Sequence, residues 1–310
     1  MAEKLEGQDL LKTPLHGIYI PIILSIVGTA IVNYEYVPYM ILLLAIFIGF
    51  HIIRIKCQRQ VLSSKKFQEY ELIDKTIISK NSAIYRFKLD HDFDKLNIPI
   101  GHHLVCKVNI NDKDEIRYYT PINNQYDEGF FDIIVKSYKD GSVSKYFATL
   151  NPGAKVLFKG PVGRMSYKPN MSKEIVMIAG GSGLTPMLAV LGSIITTPTD
   201  TTKVKLLFAN ETENDILLRD ELDEYVKSYP GFELKYIVNH PSSLNWNDNG
   251  YTGWITKDIL NKELPSPNAD TKIFICGPID MKKQMLQDLE DLGWSKGTLQ
   301  SKQDDQVFCF

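Results

Sequence analysis

Ile178-Ala179-Gly180-Gly181-Ser182-Gly183-Leu184-Thr185-Pro186 is a glycine turn set between two apolar segments. It continues an apolar run, Glu174–Ala179, and opens an apolar segment that begins at Thr185. An apolar run, a glycine turn and a helix start mark the junction of a buried parallel strand with its crossover helix. Glycines let a backbone come close to a phosphate or a flat ring. Open N–H groups and the helix dipole then favour an anion, and Pro186 suits the first helical turn. A tight packing turn would carry similar letters, and the spacing is not that of the usual G-x-G-x-x-G fingerprint.

Downstream, strand and helix alternate. Strand Lys203–Ala209 precedes helix Leu217–Ser228, strand Phe232–Val238 precedes helix Thr256–Asn261, and strand Lys272–Cys276 precedes helix Met281–Leu292. Gln306–Phe310 is the fifth strand. This rhythm predicts a five-stranded parallel α/β sheet with right-handed connections and ligands beyond the carboxyl ends of its strands. Cys276-Gly277-Pro278 closes the fourth strand, with Met281 starting the next helix. A small thiol there leaves room for a planar ring, although a buried Cys before a turn reads the same way.

Upstream the rhythm is that of short strands: Gln68–Ser79, Ala83–Leu89, His103–Ile110, Glu115–Thr120, Phe130–Tyr138 and Lys155–Lys159. One helix, Val143–Leu150, interrupts them. The pattern predicts a six-stranded antiparallel barrel, joined through Pro169-Asn170-Met171-Ser172 to the α/β domain. Arg117-Tyr118-Tyr119-Thr120-Pro121 ends one of these strands. Arg can hold a pyrophosphate, Tyr can lie on a ring and Thr can hydrogen-bond a ring nitrogen, while an edge strand of alternating exposure is the plain alternative. Gly141-Ser142-Val143-Ser144 offers open N–H groups and two hydroxyls to a second phosphate site, or simply caps the helix.

The first fifty-odd residues differ in kind. Ile18–Val32 and Val37–Ile53 are apolar stretches split by Asn33-Tyr34-Glu35-Tyr36 and Pro38. Together they exceed the roughly 20 residues of one span, and they predict a membrane hairpin of two short helices. One span plus a buried or interfacial segment is the alternative. Tyr19, Tyr34, Tyr36 and Tyr39 stand where interfacial aromatics belong, and Arg54, Lys56, Arg59, Lys65 and Lys66 put the following chain on the cytosolic side. The expected organisation is a cytosolic tail (1–16), the hairpin anchor (17–55), a linker (56–66), the barrel domain (67–170) and the α/β domain (171–310). The net charge of −2 gives no reason to expect nucleic acid. Cys57, Cys106, Cys276 and Cys309 are scattered, without metal-ligand spacing, and read as reduced thiols.

Taken in order, Arg-x-Tyr-Thr, Gly-x-Val-Ser, Gly-Gly-Ser-Gly-x-Thr-Pro, Cys-Gly-Pro-x-x-Met and a terminal Phe resemble the NADH–cytochrome b5 reductase family, the membrane-bound branch of the ferredoxin–NADP reductase fold. The likeness runs from about residue 67 to 310. The hairpin and the run Asn210–Leu218 are similar to fungal members. The resemblance implies FAD bound by Arg117, Tyr118, Tyr119 and Thr120, with Gly141, Ser142, Val143 and Ser144 on its pyrophosphate. It implies Ile134 and Lys136 flanking the flavin and Thr185 touching it across the cleft. NADH would be seated by Gly180, Gly181, Ser182, Gly183, Asn239, Cys276, Gly277, Pro278 and Met281, with Phe310 over the cleft. Thr120, Lys136 and Cys276 would serve hydride transfer from nicotinamide to flavin N5. Single electrons would then pass to cytochrome b5 or a similar membrane haem or quinone acceptor.

Two positions depart from the family pattern. An acidic residue that bonds adenosine ribose is common where this chain has Asn239, which leaves NADPH open as a donor. His102 stands where Gln is common. The resemblance further implies an endoplasmic reticulum membrane, with the mitochondrial outer membrane or plasma membrane as alternatives. A non-enzymatic, membrane-anchored interaction protein that keeps the fold is the competing reading.

Overall fold

The computed structural model describes the backbone of residues 20–56, 61–124, 126–137, 141–242, 246 and 250–310, and the side chains of all of these except 50–56. The expected tail at 1–16, Tyr19, Cys57, Arg59, part of the linker and Tyr138 lie outside the described residues. The chain divides into two units, residues 1–60 and 61–310.

In the first unit the apolar stretches form α1 (Ile20–Val32) and α2 (Val37–Lys56). The polar break between them is a 3-10 turn, Tyr34–Tyr36, capped by the Asn33 side chain, which accepts from the Glu35 N–H at 3.0 Å. Ser25 and Thr29 donate to the carbonyls of Pro21 and Ser25 at 2.8 Å each, so both hydroxyls are satisfied within their own helix. The 13 residues of α1 rise about 20 Å, less than the roughly 30 Å of a hydrocarbon core. Among the described residues no helix is long and apolar enough to cross a membrane. The expected helix pair is present at α1 and α2.

The second unit opens with β1 (Gln68–Ser79), β2 (Ser82–Lys88), β3 (His103–Ile110), β4 (Lys113–Tyr119), β5 (Phe130–Lys136) and β6 (Lys155–Val162). They pair antiparallel in the order β4-β3-β6-β1-β2-β5. The period of two seen in β2 sends Ala83, Tyr85 and Phe87 inward and leaves Ile84, Arg86 and Lys88 more exposed. Phe87 stands 4.9 Å from Phe158 and 5.3 Å from Phe131, ring centre to ring centre, and all three are fully buried. Helix α3 (Ser142–Thr149) adds Val143 and Phe147 to this core.

A second sheet follows: β7 (Glu174–Gly180), β8 (Lys203–Asn210), β9 (Phe232–Val238), β10 (Gly250–Thr252), β11 (Thr271–Cys276) and β12 (Val307–Cys309). Its order is β10-β9-β8-β7-β11-β12, and every pairing is parallel. The sheet thus has six strands where the sequence led us to expect five. The extra edge strand, Gly-Tyr-Thr, is too short and too polar to show an apolar run. A side chain at Gly250 would overlap the Tyr236 carbonyl, so this pairing requires glycine.

Four helices cover the sheet: α4 (Leu184–Thr196), α5 (Arg219–Ser228), α6 (Lys257–Glu263) and α7 (Ile279–Asp291). Alternate residues of β7 serve two cores. Ile175, Met177 and Ala179 pack in one cluster with Leu184, Met187 and Val190 of α4 and with Leu222 of α5. Val176 and Ile178 pack in the other with Leu260 of α6 and with Met285 and Leu289 of α7. A strand covered on both faces must be apolar throughout, which explains its unbroken run. At the joint between the two sheets Asn170 adopts a left-handed φ of 57°, and Tyr167 donates to Asp200 at 2.6 Å.

Candidate functional site

The glycine turn is built by close approach. Gly181 has φ 53°, in the left-handed region. A side chain on Gly183 would overlap the Cys276 carbonyl, and one on Gly180 would come within 2.7 Å of Met281 Sδ and 3.1 Å of Pro278 Cδ. Gly277 lies at φ 157°, and a side chain there would sit 3.1 Å from the Gly180 nitrogen. The Gly-Gly-Ser-Gly turn and the Cys-Gly-Pro-x-x-Met segment, far apart in sequence, therefore interlock at the carboxyl ends of β7 and β11. Thr185 is buried and donates to the Ser182 carbonyl at 3.2 Å. Burial pushes the Cys276 thiol up to about 12, so it stays neutral and small.

Strand β5 carries the barrel to this turn. Ile134, 2% exposed, joins the cluster that holds Leu184 and Met187. Lys136 donates to Asp215 Oδ1 at 2.9 Å. Asp215 also accepts from Asn81 Nδ2 at 3.1 Å and from Thr212 Oγ1 at 2.7 Å. Burial tends to raise the Asp215 carboxyl, but its contacts with Thr212, Lys136 and Asn81 outweigh that and hold it below its ordinary value.

These residues open onto a cleft of about 450 Å³, lined by Lys136, Gly180, Gly181, Pro278 and Met281 together with Asn210, Glu211, Asn239 and Trp254. Asn210 is 8% exposed, and neither polar atom of its side chain has a partner among the described residues. Buried polar groups are normally paired, so an orphaned amide lining a cleft fits a polar ligand there.

A second corner forms on the barrel. Arg117, near the end of β4, donates from Nη2 to Ser142 Oγ at 3.4 Å and from Nη1 to Glu115 at 3.2 Å. Gly141 stands at the N-cap of α3 and makes no side-chain cap hydrogen bond of its own. A guanidinium beside a helix start is a donor set suited to a pyrophosphate. The Tyr119 ring lies 5.5 Å from Phe147, and burial pushes its hydroxyl upward. Tyr118 is 65% exposed and meets His103 edge-on at 5.1 Å. Burial, then His102 and Arg164, lower His103 to about 4. Phe310 donates its N–H to the Ile275 carbonyl at 2.9 Å and packs against Phe308 and Phe274.

The structure thus gathers the glycine-turn and Cys-Gly-Pro residues, brings Arg117 to Ser142, and sets Lys136 in the cleft. The Val143 side chain turns into the barrel core, so only its backbone faces the helix start. Sequence reading gave no role to Asp215, Asn81, Asn210, Glu211 or Trp254. For Asp215 a signal existed: Thr212-x-x-Asp215 is a capping box, and the structure contains it.

A barrel with a donor-rich corner, packed on a parallel sheet with a glycine-turn cleft, fits a flavin–nicotinamide oxidoreductase. Residues 69–167 match the family described as Oxidoreductase FAD-binding domain, and residues 177–287 match Oxidoreductase NAD-binding domain. The chain is 48% identical over 313 residues to the plasma membrane-associated coenzyme Q6 reductase PGA3 of Saccharomyces cerevisiae, covering 99% of each. It is 45% identical over 303 residues to NADH-cytochrome b5 reductase 1 of Ajellomyces capsulatus, covering 96% of each. Among solved structures, the cytochrome b5 reductase domain of Ulva prolifera nitrate reductase superposes with a TM-score of 0.73 at 34% identity, over 81% of this chain and all of that one. The chain belongs to the NADH–cytochrome b5 reductase family, with the ferredoxin–NADP reductase-like fold. It is an NADH-dependent flavin reductase whose cofactors are FAD and NADH.

Proposed function

We propose that this reductase is anchored to a membrane by its N-terminal helix pair and passes electrons to cytochrome b5 or a similar membrane haem or quinone acceptor. In this reading residues 67–170 hold FAD and residues 171–310 hold NADH. When bound, the two cofactors would supply the redox chemistry, two-electron hydride transfer and single-electron release. The protein supplies position and charge.

Arg117 and the first N–H groups of α3, with Ser142 and Ser144, hold the FAD pyrophosphate. Tyr118, Tyr119 and Thr120 would line the flavin, Thr120 offering a hydroxyl to its ring edge. Gly180–Gly183, Cys276, Gly277, Pro278 and Met281 form the wall against which NADH lies, and the neutral Cys276 thiol adds neither bulk nor charge. Lys136 provides a fixed cation at the cleft, and its contact with Asp215 keeps the ammonium from swinging free. Thr185 would touch the flavin across the cleft, and Phe310 would cover the cleft near the rings. The observation that carries this reading is the cleft lined jointly by Lys136 of the barrel and the glycine turn of the parallel sheet.

Two features support anchoring. Ile23, Leu24, Ile31, Leu43 and Phe47 are all more than half exposed within the first unit, an apolar surface that water does not favour. Ser25 and Thr29 satisfy their hydroxyls inside their helix, as a lipid-embedded segment requires. The acceptor assignment rests on relatives whose names specify cytochrome b5 and coenzyme Q6. The endoplasmic reticulum is the proposed membrane.

The experiment uses the full chain, loaded with FAD and reconstituted into phosphatidylcholine vesicles. NADH oxidation should couple to reduction of purified cytochrome b5 or of a short-chain quinone, and the protein should float with the vesicles. Flavin reduction without reduction of either acceptor refutes the acceptor assignment. Protein left in the soluble fraction refutes the anchor. Imaging of the tagged chain in cells separates the endoplasmic reticulum from the plasma membrane.

A further inference from the structure

Asn210, Glu211 and Asn239 line the cleft. They sit at the carboxyl ends of β8 and β9. Their backbones are tied together: the Asn239 N–H donates to the Asn210 carbonyl at 3.0 Å and the His240 N–H to the Glu211 carbonyl at 2.8 Å. Asn239 Nδ2 in turn donates to Glu211 Oε2 at 3.2 Å. The Glu211 carboxylate is thus steered by a side chain on the next strand.

The position of these groups along the sheet indicates which part of a dinucleotide they meet. The nicotinamide end must lie by the glycine turn after β7, where Lys136 brings the barrel. Neighbouring strands are about 4.8 Å apart, so the ends of β8 and β9 lie roughly 5 to 10 Å farther along the sheet. The adenosine half extends there. Dinucleotide sites use a carboxylate at a strand end to accept hydrogen bonds from adenosine ribose hydroxyls, or a cation to accept a 2′-phosphate. At position 239, where the resemblance led us to expect the acid, this chain has a neutral amide. The carboxylate comes from Glu211, one strand over. Lys136 is the only cation among the described residues that line the cleft, and it is paired with Asp215. Asp280 adds a second negative group to the lining. A 2′-phosphate would therefore face carboxylate with no free counter-charge.

We propose that Glu211, oriented by Asn239, is the residue that makes this enzyme select NADH over NADPH, and that the orphaned Asn210 amide pairs with the same adenosine half. The inference rests on the reductase reading and names the specificity residue of its nucleotide site. A carboxylate that repels the 2′-phosphate and accepts from the ribose discriminates by both attraction and repulsion.

The test uses the full FAD-loaded chain and two probes that need no turnover, 5′-AMP and its 2′-phosphorylated form, with dissociation constants measured by calorimetry. The native chain should prefer 5′-AMP. Glu211→Gln should narrow that preference about ten-fold, the scale expected when one like charge beside the phosphate is removed. The NADH-to-NADPH ratio of kcat/KM should move the same way, with Tm and flavin content unchanged. Asn210→Leu should weaken both probes alike. A preference that survives Glu211→Gln overturns the proposal, as does a native chain that binds the two probes equally. A failure of the wider reading looks different: there NADH would leave the flavin oxidised while the probes were still discriminated.

Discussion

Lys136 of β5 and Asp215, beyond β8, meet at 2.9 Å with their side chains only 5% and 15% exposed. The pair joins the barrel to the parallel sheet at the mouth of the cleft. Removing one partner of a buried pair leaves the other charged and unsolvated, which costs about 3–5 kcal/mol. Asp215→Ala should therefore lower Tm markedly and raise the KM for NADH, because the Lys136 ammonium loses its fixed place. Thermal unfolding and steady-state kinetics on the same preparation check both effects.

The same pair gives a pH dependence. The Asp215 carboxyl is held below its ordinary value in the folded chain: burial raises it, and Thr212, Lys136 and Asn81 together lower it further than burial lifts it. A depressed carboxyl adds stability above its unfolded value, near about 4, and loses it as pH falls through the folded value. Urea unfolding followed below about pH 4 should show a loss of stability in the native chain. In Asp215→Asn this part of the acid-dependent loss should be absent.

Gly183 lies against the Cys276 backbone with no room for a methyl group. Gly183→Ala must push the glycine turn away from the end of β11, and overpacking of this kind costs about 1–3 kcal/mol. We expect a lower Tm and a weaker NADH complex with FAD still bound, since the strain falls on the nucleotide side. Gly192, which has open space around it, is the control: Gly192→Ala should leave NADH binding unchanged.

Arg117 reaches Ser142 at the start of α3. A hydrogen bond to a charged group contributes about 1.5–3 kcal/mol, so Arg117→Ala should weaken FAD binding by about 10- to 100-fold. Flavin content after dialysis, and the dependence of Tm on added FAD, measure it directly.

Much of this was legible because burial leaves a periodic trace. The unbroken run of β7 gave its place between two helical layers, and the alternation in Tyr85-Arg86-Phe87 gave the barrel wall. The glycine turn was visible because only glycine tolerates such close contacts. What stayed hidden was of two kinds. Strand β10 carries no apolar run of its own, since it is a three-residue edge fixed by pairing with β9. Pairings between residues distant in sequence were also hidden. Nothing local in Asp215 announces Lys136 or Asn81, and nothing in Glu211 announces Asn239. The apolar N-terminal stretches showed where α1 and α2 form.

The central claim is that the cleft brings a barrel-bound flavin and a sheet-bound nicotinamide together. The most direct measurement is anaerobic titration of the purified, FAD-loaded full chain with NADH, followed by visible absorbance. The yellow flavin band should bleach with one equivalent of NADH per flavin and return on admission of air. A yellow protein that binds NADH and keeps its colour would contradict the account.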